Sequence, residues 1–199
     1  INEINACEKI ILDHFPAAII RKPDKASFPT AVKWLWSSFT SPIALHLEDD
    51  WILNTIIMPE NILPHFNQKT RQVSFLTREK NYKTKDTHHY AWKRRKIFGF
   101  NLGRKIIYDR PVFTTSPSFI EHEFANHCAK LMTDILDPEK QHDDGRNTHL
   151  SNYTKNFLNY LVRYQDDFPI TDIGREYRYN IGFKKTTTQG QSHWSRNGK

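Results

Sequence analysis

Three consecutive acidic residues, Glu48, Asp49 and Asp50, directly follow the apolar residues 43–47. An apolar run of this length predicts a buried β-strand, and in open α/β sheets ligands bind beyond the carboxyl ends of the strands. Three neighbouring carboxylates repel one another unless a cation neutralises them, and their oxygen atoms suit hard divalent ions. The pattern therefore predicts a metal site; an exposed acidic turn after a strand is the alternative.

Residues 45–51, with the sequence Leu-His-Leu-Glu-Asp-Asp-Trp, resemble the acidic motif of GT-A-fold glycosyltransferases in its Glu-Asp-Asp form. These enzymes hold a divalent metal against the diphosphate of a nucleotide sugar. The resemblance implies that Asp50 ligates the metal and that Asp49 and Glu48 bind ribose or metal-bound water. It also implies Mn²⁺ or Mg²⁺ as cofactor, a nucleoside-diphosphate sugar as donor, and a glycan or another hydroxyl compound as acceptor. The cation would stabilise the charge that the leaving diphosphate gains.

Sugar transfer to a hydroxyl group requires a base, unless the leaving diphosphate takes the proton. In inverting enzymes of the resembled family, the base commonly lies downstream of the metal motif, at the start of a later helix. Glu139 occupies that relative position, with Glu121 and Glu123 as alternatives. Pro138 followed by Glu139 is also what the first turn of any helix favours. The resemblance thus implies an inverting hexosyltransferase with Glu139 as its base.

The polar C-terminal segment resembles the part of small family members that folds over the donor. The resemblance implies that Arg175, Lys184 and Lys185 pair with the diphosphate. It also implies His193 as a second metal ligand; a histidine without a role is the alternative. The composition of residues 184–199 predicts a tail that orders only over a ligand or stays disordered.

Length and composition predict one domain over residues 1–199, because 199 residues with 38% hydrophobic and 26% charged side chains are typical of a soluble globular domain. No apolar run approaches the ~20 residues of a membrane helix, and no signal peptide is visible. Cys7 and Cys128 are too few for a disulfide framework and suit a reducing compartment. We therefore expect a cytoplasmic protein without a membrane span; its oligomeric state stays open.

The net charge of +7 raises the possibility of a polyanionic partner. A basic block with interleaved aromatic residues lies within residues 90–110, and it suits either a solvated face or base stacking. A nucleic-acid-binding module with residues 90–105 as its contact surface is therefore one alternative function. A metal-dependent phosphohydrolase or nuclease is another, and it would need further carboxylates around a second ion.

Residues 17–20 and 43–47 predict strands, and residues 28–39, preceded by Ser27 as N-cap, predict the helix between them. Such a crossover favours a parallel sheet. The resemblance implies an α/β, GT-A-like (Rossmann-like) and mostly parallel sheet flanked by helices. The 47 residues before Glu48 leave room for only one clear strand, whereas the resembled family has two or more there; either the chain is an excerpt of a longer protein or its nucleotide pocket is abbreviated. Further predictions are a strand at 72–76, an acceptor-side loop at 78–104, a helix after its N-cap Ser118, a loop at 142–152 and a helix at 153–164.

Overall fold

The computed structural model describes residues 3–75, 77, 88–98, 100–142, 146–162 and 168–196. Its α-helices are α1 (Glu3–His14), α2 (Phe28–Ser38), α3 (Pro59–Ile62), α4 (His122–Leu131), α5 (Thr148–Thr154) and α6 (Ile173–Asn180). Its strands are β1 (Ile43–His46), β2 (Trp51–Leu53), β3 (Thr70–Phe75), β4 (Tyr90–Ile97), β5 (Phe100–Pro111), β6 (Ser118–Glu121), β7 (Leu158–Val162), β8 (Ile170–Asp172), β9 (Phe183–Thr188) and β10 (Gln191–Arg196). Short 3₁₀ helices span Leu63–His65 and Glu139–His142.

A four-stranded sheet in the order β1-β6-β3-β7 lies at the centre of the fold. Strand β6 pairs antiparallel with both β1 and β3, whereas β3 and β7 are parallel. The pairs β2–β8, β4–β5 and β9–β10 form small antiparallel sheets. The predicted GT-A-like, mostly parallel sheet is therefore wrong. The fold is mixed α/β, and its small sheets are mostly antiparallel.

The parallel sheet was predicted from a strand at residues 17–20, and that strand does not form. The chain turns there after α1, with the Ala18 amide donating to the Phe15 carbonyl at 2.9 Å. Ile19 remains 83% exposed, so the short apolar run is not buried. Helix α2 consequently does not connect two neighbouring parallel strands. Strand β1 pairs instead with β6, which lies far along the chain.

Helix α2 confirms the helix predicted over residues 28–39. The Ser27 hydroxyl accepts hydrogen bonds from the Thr30 amide and hydroxyl groups at 3.5 and 3.0 Å, and Pro29 lies in the first turn. Its buried side chains, Val32 and Trp36, are four residues apart and therefore face the same way. Local capping and spacing were sufficient to predict this element.

Two apolar clusters cover the two faces of the central sheet. The first includes side chains of α2, α4 and α5, and the second includes Ile62, Val73 and Phe75. Neighbouring residues of β6 face opposite clusters, since Ile120 belongs to the first and Phe119 packs against the second. The sheet therefore lies between two apolar clusters.

Several predictions between residues 78 and 164 are wrong. The predicted loop contains β4 and the beginning of β5, while residues 78–87 lie outside the described residues. Ser118 belongs to β6, and Glu121 is the N-cap of α4. Helix α5 begins inside the predicted loop at 142–152, because Asn147 accepts a hydrogen bond from the Leu150 amide at 3.1 Å. The predicted helix at 153–164 is largely replaced by β7.

The C-terminal segment, for which the sequence predicted a tail that orders only over a ligand or stays disordered, forms the hairpin β9–β10 over residues 183–196. Gln189 and Gly190 adopt positive φ angles of 51° and 81° in its turn, where glycine avoids the steric cost of a side chain. The Gly190 carbonyl accepts a hydrogen bond from the Asp137 amide at 2.9 Å. This C-terminal hairpin is thus attached to the segment that carries Asp137 and Glu139; residues 197–199 lie outside the described residues.

The two cysteines and the hydrophobicity of the helices were also considered in the sequence-based expectations. Cys7 is exposed, Cys128 is buried, and both thiols are free. Among the described helices, none combines the length and hydrophobicity that crossing a bilayer requires.

Candidate functional site

A cleft of about 890 Å³ opens next to the acidic turn that follows β1. Its walls come from segments far apart in the sequence: the approach to α2, the acidic turn, the segments before β6 and after α4, helix α6 and the C-terminal hairpin. The lining includes six of the side chains that the sequence singled out: Glu48, Asp50, Glu139, Arg175, Lys185 and His193.

Asp50 is held against the first turn of α6. Its carbonyl oxygen accepts hydrogen bonds from the Ile173 and Gly174 amides at 3.0 and 3.2 Å. A β-carbon at Gly174 would lie 2.1 Å from Asp50 Oδ2, so only glycine fits without a shift. The same carboxylate oxygen accepts a hydrogen bond from Arg178 Nη1 at 2.7 Å. Packing and charge therefore fix the Asp50 side chain in the cleft wall.

Helix α6 presents two guanidinium groups to the cleft. Asp172 caps the helix by accepting a hydrogen bond from the Arg175 amide at 2.8 Å. Its carboxylate also lies 3.4 Å from Arg175 Nε and 3.8 Å from Arg178 Nη2. Asp172 thus orients both arginines, whose planar donor groups suit phosphate oxygens. Arg178 and Asp172 were not among the predicted site residues, although helical spacing places positions 175 and 178 on the same face.

Glu48 is partly buried in the cleft wall, and burial raises its pKa from 4.5 to about 7. The negative charges of Asp50 and Glu139 raise the pKa further. The Trp51 indole, which donates to Glu48 Oε2 at 3.2 Å, and the charge of Lys185 act in the opposite direction. The Glu48 carboxyl can therefore gain or lose a proton near neutral pH.

The Glu139 side chain is held by hydrogen bonds from the segment that precedes β6. Its Oε1 atom accepts hydrogen bonds from the Thr114 hydroxyl at 2.5 Å and from the Thr115 amide at 3.1 Å. The side chain is thus held in the cleft as a hydrogen-bonded acceptor.

Two buried histidines lie behind Glu139. Burial lowers the pKa values of His46 and His142 from 6.5 to about 4, although the charge of Glu139 opposes this in both cases. The Trp36 indole donates to His46 Nδ1 at 3.2 Å, so the neutral imidazole carries its proton on Nε2. Neither histidine was among the predicted site residues. The position of His46 in the site could have been predicted from its spacing. It lies two residues before Glu48, and residues two apart in an extended chain face the same side.

Lys185 connects the C-terminal hairpin to the cleft floor. Its ammonium group lies 3.5 Å from Asp137 Oδ2, and the Asp137 side chain is almost fully buried. Asp137 Oδ1 also accepts hydrogen bonds from the Glu139 and Lys140 amides at 3.1 and 3.4 Å. Lys184 is exposed and is not part of the cleft lining, because neighbouring residues of a strand point to opposite faces.

Asp49 faces a second cavity, a groove of about 590 Å³ beside the cleft. Residues 25–28 line both cavities, so the groove and the cleft are adjacent. The groove is also lined by the rings of Phe28 and Trp34. The three acids of the motif are therefore divided, with Glu48 and Asp50 in the cleft and Asp49 in the groove.

Glu121 lies outside the cleft lining and caps α4, accepting a hydrogen bond from the Phe124 amide at 2.8 Å. We expect Glu121→Ala to lower the free energy of unfolding by about 1 kcal/mol through loss of this cap, without affecting binding in the cleft. Urea denaturation measures the first effect, and Glu121→Gln, which keeps an oxygen that can accept the capping hydrogen bond, is the matched control. A loss of ligand binding by folded Glu121→Ala protein would instead assign Glu121 to the site.

The residues of the cleft fit a divalent cation only in part. Within the described ranges, no group of three or more His, Cys, Asp or Glu side chains is arranged to hold a metal ion. Mg²⁺ in proteins is often bound by one or two carboxylates, with substrate phosphates and water completing its shell. Asp50 in the cleft fits that mode, and His193 lines the same cavity.

Comparison with known proteins gives no match: no family model, curated protein or solved structure is significantly similar to this chain. The observed strand order also differs from the parallel sheet that the acidic motif implied. The chemistry of the cleft is therefore the basis for a functional proposal.

Proposed function

We propose that this chain is a metal-dependent glycosyltransferase that moves a sugar from a nucleoside-diphosphate sugar to an acceptor hydroxyl. One observation carries the proposal. Side chains that suit metal binding, diphosphate binding and proton transfer line a single cleft, although they lie as far apart in the sequence as Glu48 and His193. The cleft volume of about 890 Å³ lies within the range of roughly 300–1,000 Å³ that is usual for small-molecule sites. The proposal does not depend on the fold that the motif implied.

Three cationic side chains of the cleft, each also paired with a carboxylate, support a diphosphate ligand. Arg175, Arg178 and Lys185 come from α6 and β9 and line the same cavity. Their charges would favour departure of a nucleoside diphosphate, which becomes more negative as the glycosidic bond breaks. A divalent cation held by Asp50 would supply further positive charge to that leaving group.

The groove beside the cleft suits the nucleoside. Phe28 and Trp34 offer ring surface for a base, and the Asp49 carboxylate can accept hydrogen bonds from ribose hydroxyls. Because residues 25–28 line both cavities, a ligand can extend from the groove into the cleft. This arrangement would place the diphosphate near Asp50 and the sugar near Glu139.

Glu139 is the proposed base that removes the acceptor proton. Its hydrogen bonds with Thr114 and Thr115 fix the carboxylate in the cleft. Glu48, with its pKa raised to about 7, is the second candidate, since a base is most effective when its pKa is near the working pH. The two glutamates are separable by the pH dependence of the reaction.

Thermal denaturation with nucleotide sugars, with and without Mn²⁺, tests the proposal. We expect one nucleotide sugar to stabilise the protein only when Mn²⁺ is present, by about 2.7 kcal/mol when the ligand is at a hundred times its Kd. Asp50→Asn should abolish this stabilisation, whereas Asp13→Asn, a change at an exposed acid of α1, should leave it intact. Stabilisation that persists in Asp50→Asn, or in EDTA, would contradict a metal-assisted site.

The phosphohydrolase alternative receives less support from the cleft. That function would need several carboxylates converging on two ions, and no such group occurs among the described residues. Release of inorganic phosphate from a simple phosphate ester, dependent on Asp50, would favour it over the transferase.

A further inference from the structure

Strands β4 and β5 form a long ribbon, here called the basic hairpin, that is attached to the central sheet at its base. The His89 amide donates to the Asn159 carbonyl, and the Val112 amide donates to the His89 carbonyl, both at 2.8 Å. The Asn159 side chain also donates to the Val112 carbonyl at 3.0 Å. At the other end Ile97 pairs with Phe100. An eight-residue strand extends roughly 25 Å, so the tip lies well away from this attachment.

The tip of the basic hairpin is apolar and exposed to solvent. Phe98 is 96% exposed and Phe100 75% exposed, and their neighbours Ile97 and Leu102 are each 52% exposed. Burial of such side chains is favourable, and a contiguous exposed apolar patch commonly marks an interaction site. The tip therefore has the composition of a contact surface.

The body of the basic hairpin holds almost all of the chain's excess charge. Residues 90–111 contain seven lysines and arginines and one acid, which gives a net charge of +6 out of +7 for the chain. Like charges also face each other across the ladder, with Lys93 opposite Lys105 and Arg94 opposite Arg104. Such pairs are destabilising in isolation. An anionic partner would remove this repulsion.

The positions of the apolar side chains favour a lipid surface over a nucleic acid. The Arg104 guanidinium covers the Trp92 ring at 4.1 Å, and Tyr90 packs edge-on against Tyr108. The aromatic rings among the basic residues are thus already in contact with protein groups. The tip combines its two phenylalanines with aliphatic Ile97 and Leu102, which cannot stack on bases but do enter lipid.

We propose that the basic hairpin docks on a membrane surface that contains anionic lipids. The apolar side chains of the tip enter the boundary between headgroups and acyl chains, as the apolar faces of interfacial helices do. The lysines and arginines behind the tip then meet the lipid phosphates. This proposal is independent of the function of the cleft.

Co-sedimentation with phospholipid vesicles tests the proposal. We expect the protein to bind vesicles of phosphatidylcholine with about 30% phosphatidylserine, and to bind pure phosphatidylcholine much more weakly. The tip variant Phe98→Asn/Phe100→Thr should weaken binding at least about tenfold. Asn tolerates the φ angle of 48° at position 98, and Thr suits a strand, so the hairpin should be retained.

The charge variant Arg94→Glu/Lys105→Glu should weaken binding on the order of a hundredfold. Each new glutamate faces Arg104 or Lys93 across the ladder, so the substitutions replace repulsion by attraction and preserve the ribbon. Lys130→Glu/Lys155→Glu, at exposed lysines elsewhere, makes the same change in net charge and should bind as the unmodified protein does.

Three results would overturn the proposal. The first is a tip variant that binds anionic vesicles as well as the unmodified protein, which would indicate a polyanion surface without insertion. The second is absence of vesicle binding by the unmodified protein, and the third is equal loss of binding in the charge variant and in its lysine control. The variant Phe98→Trp gives an independent measurement. The fluorescence of the new tryptophan should shift to the blue when the tip inserts into anionic vesicles. It should not shift when a single-stranded oligonucleotide is added instead.

Discussion

Replacement of Glu139 by Gln is expected to slow sugar transfer by a factor of roughly 10² to 10⁴, the usual contribution of a positioned base. Glutamine keeps an oxygen that accepts the hydrogen bonds from Thr114 and Thr115, but it cannot take a proton. Binding of the donor should therefore be nearly unchanged while kcat falls. Steady-state kinetics with the donor identified by thermal denaturation, together with the donor's Kd, measure the two quantities separately.

The control for this prediction is Glu60→Gln, at an exposed position of α3, which should retain full activity. If Glu139→Gln keeps activity within about threefold, the base is another group. The pH profile then tests Glu48. A limb of kcat/KM on the acid side of the profile that disappears in Glu48→Gln would assign the proton transfer to that residue.

Lowering the pH from 6.5 to 4 is expected to destabilise the fold strongly through His46 and His142. Both side chains have a pKa of about 4 in the folded protein and an ordinary value of 6.5. Between these values the unfolded chain binds protons that the folded protein does not, so stability is lost as the pH falls. The loss is roughly 3 kcal/mol for each histidine at 1.4 kcal/mol per pKa unit.

Glu48 acts in the opposite direction. Its pKa is raised from 4.5 to about 7 in the folded protein, so the folded state binds the extra proton between these values, and stability declines as the pH rises through this window. Since two histidines oppose one glutamate, the net effect below pH 6.5 is acid destabilisation, with maximum stability near pH 6.5. Glu48→Gln should steepen the acid limb.

Urea denaturation across this pH range tests the expectation. His142→Leu should reduce the slope of stability against pH on the acid side, because one buried imidazole no longer has to be kept neutral. His14→Gln, at an exposed position, should leave the slope unchanged. A stability curve that is flat between pH 4 and 6.5 would contradict the assigned pKa values.

Local patterns predicted the elements whose formation depends on neighbouring residues. Ser27 caps α2, and the spacing of Val32 and Trp36 gives the buried side of that helix. The same approach failed for β7. Leu158, Leu161 and Val162 fit helical spacing, but a strand in a parallel pair with both faces covered also has a nearly continuous apolar sequence. Periodicity alone does not distinguish these two cases.

Strand pairing was beyond the reach of local patterns. Nothing in the sequence of β1 determines that its partner is antiparallel β6, because that choice depends on contacts between distant segments. Six of the side chains that the sequence singled out line one cleft, but residue type alone did not separate them from Glu121, a carboxylate at a strand end that caps a helix. Arg178 was missed because its role depends on a contact with Asp50, and His46 because it lies within an apolar run.

The attachment of the C-terminal hairpin to Asp137 has a consequence for folding order. The bonds that link Asp137 to Gly190 and Lys185 join segments that leave the ribosome at very different times. Domains rich in such non-local contacts fold slowly, whereas the β4–β5 ribbon joins adjacent residues and can form early. A nascent chain that ends before Lys185 would hold Asp137 without the ammonium group that pairs with it, so this part of the cleft forms only after Lys185 and Gly190 have been synthesised.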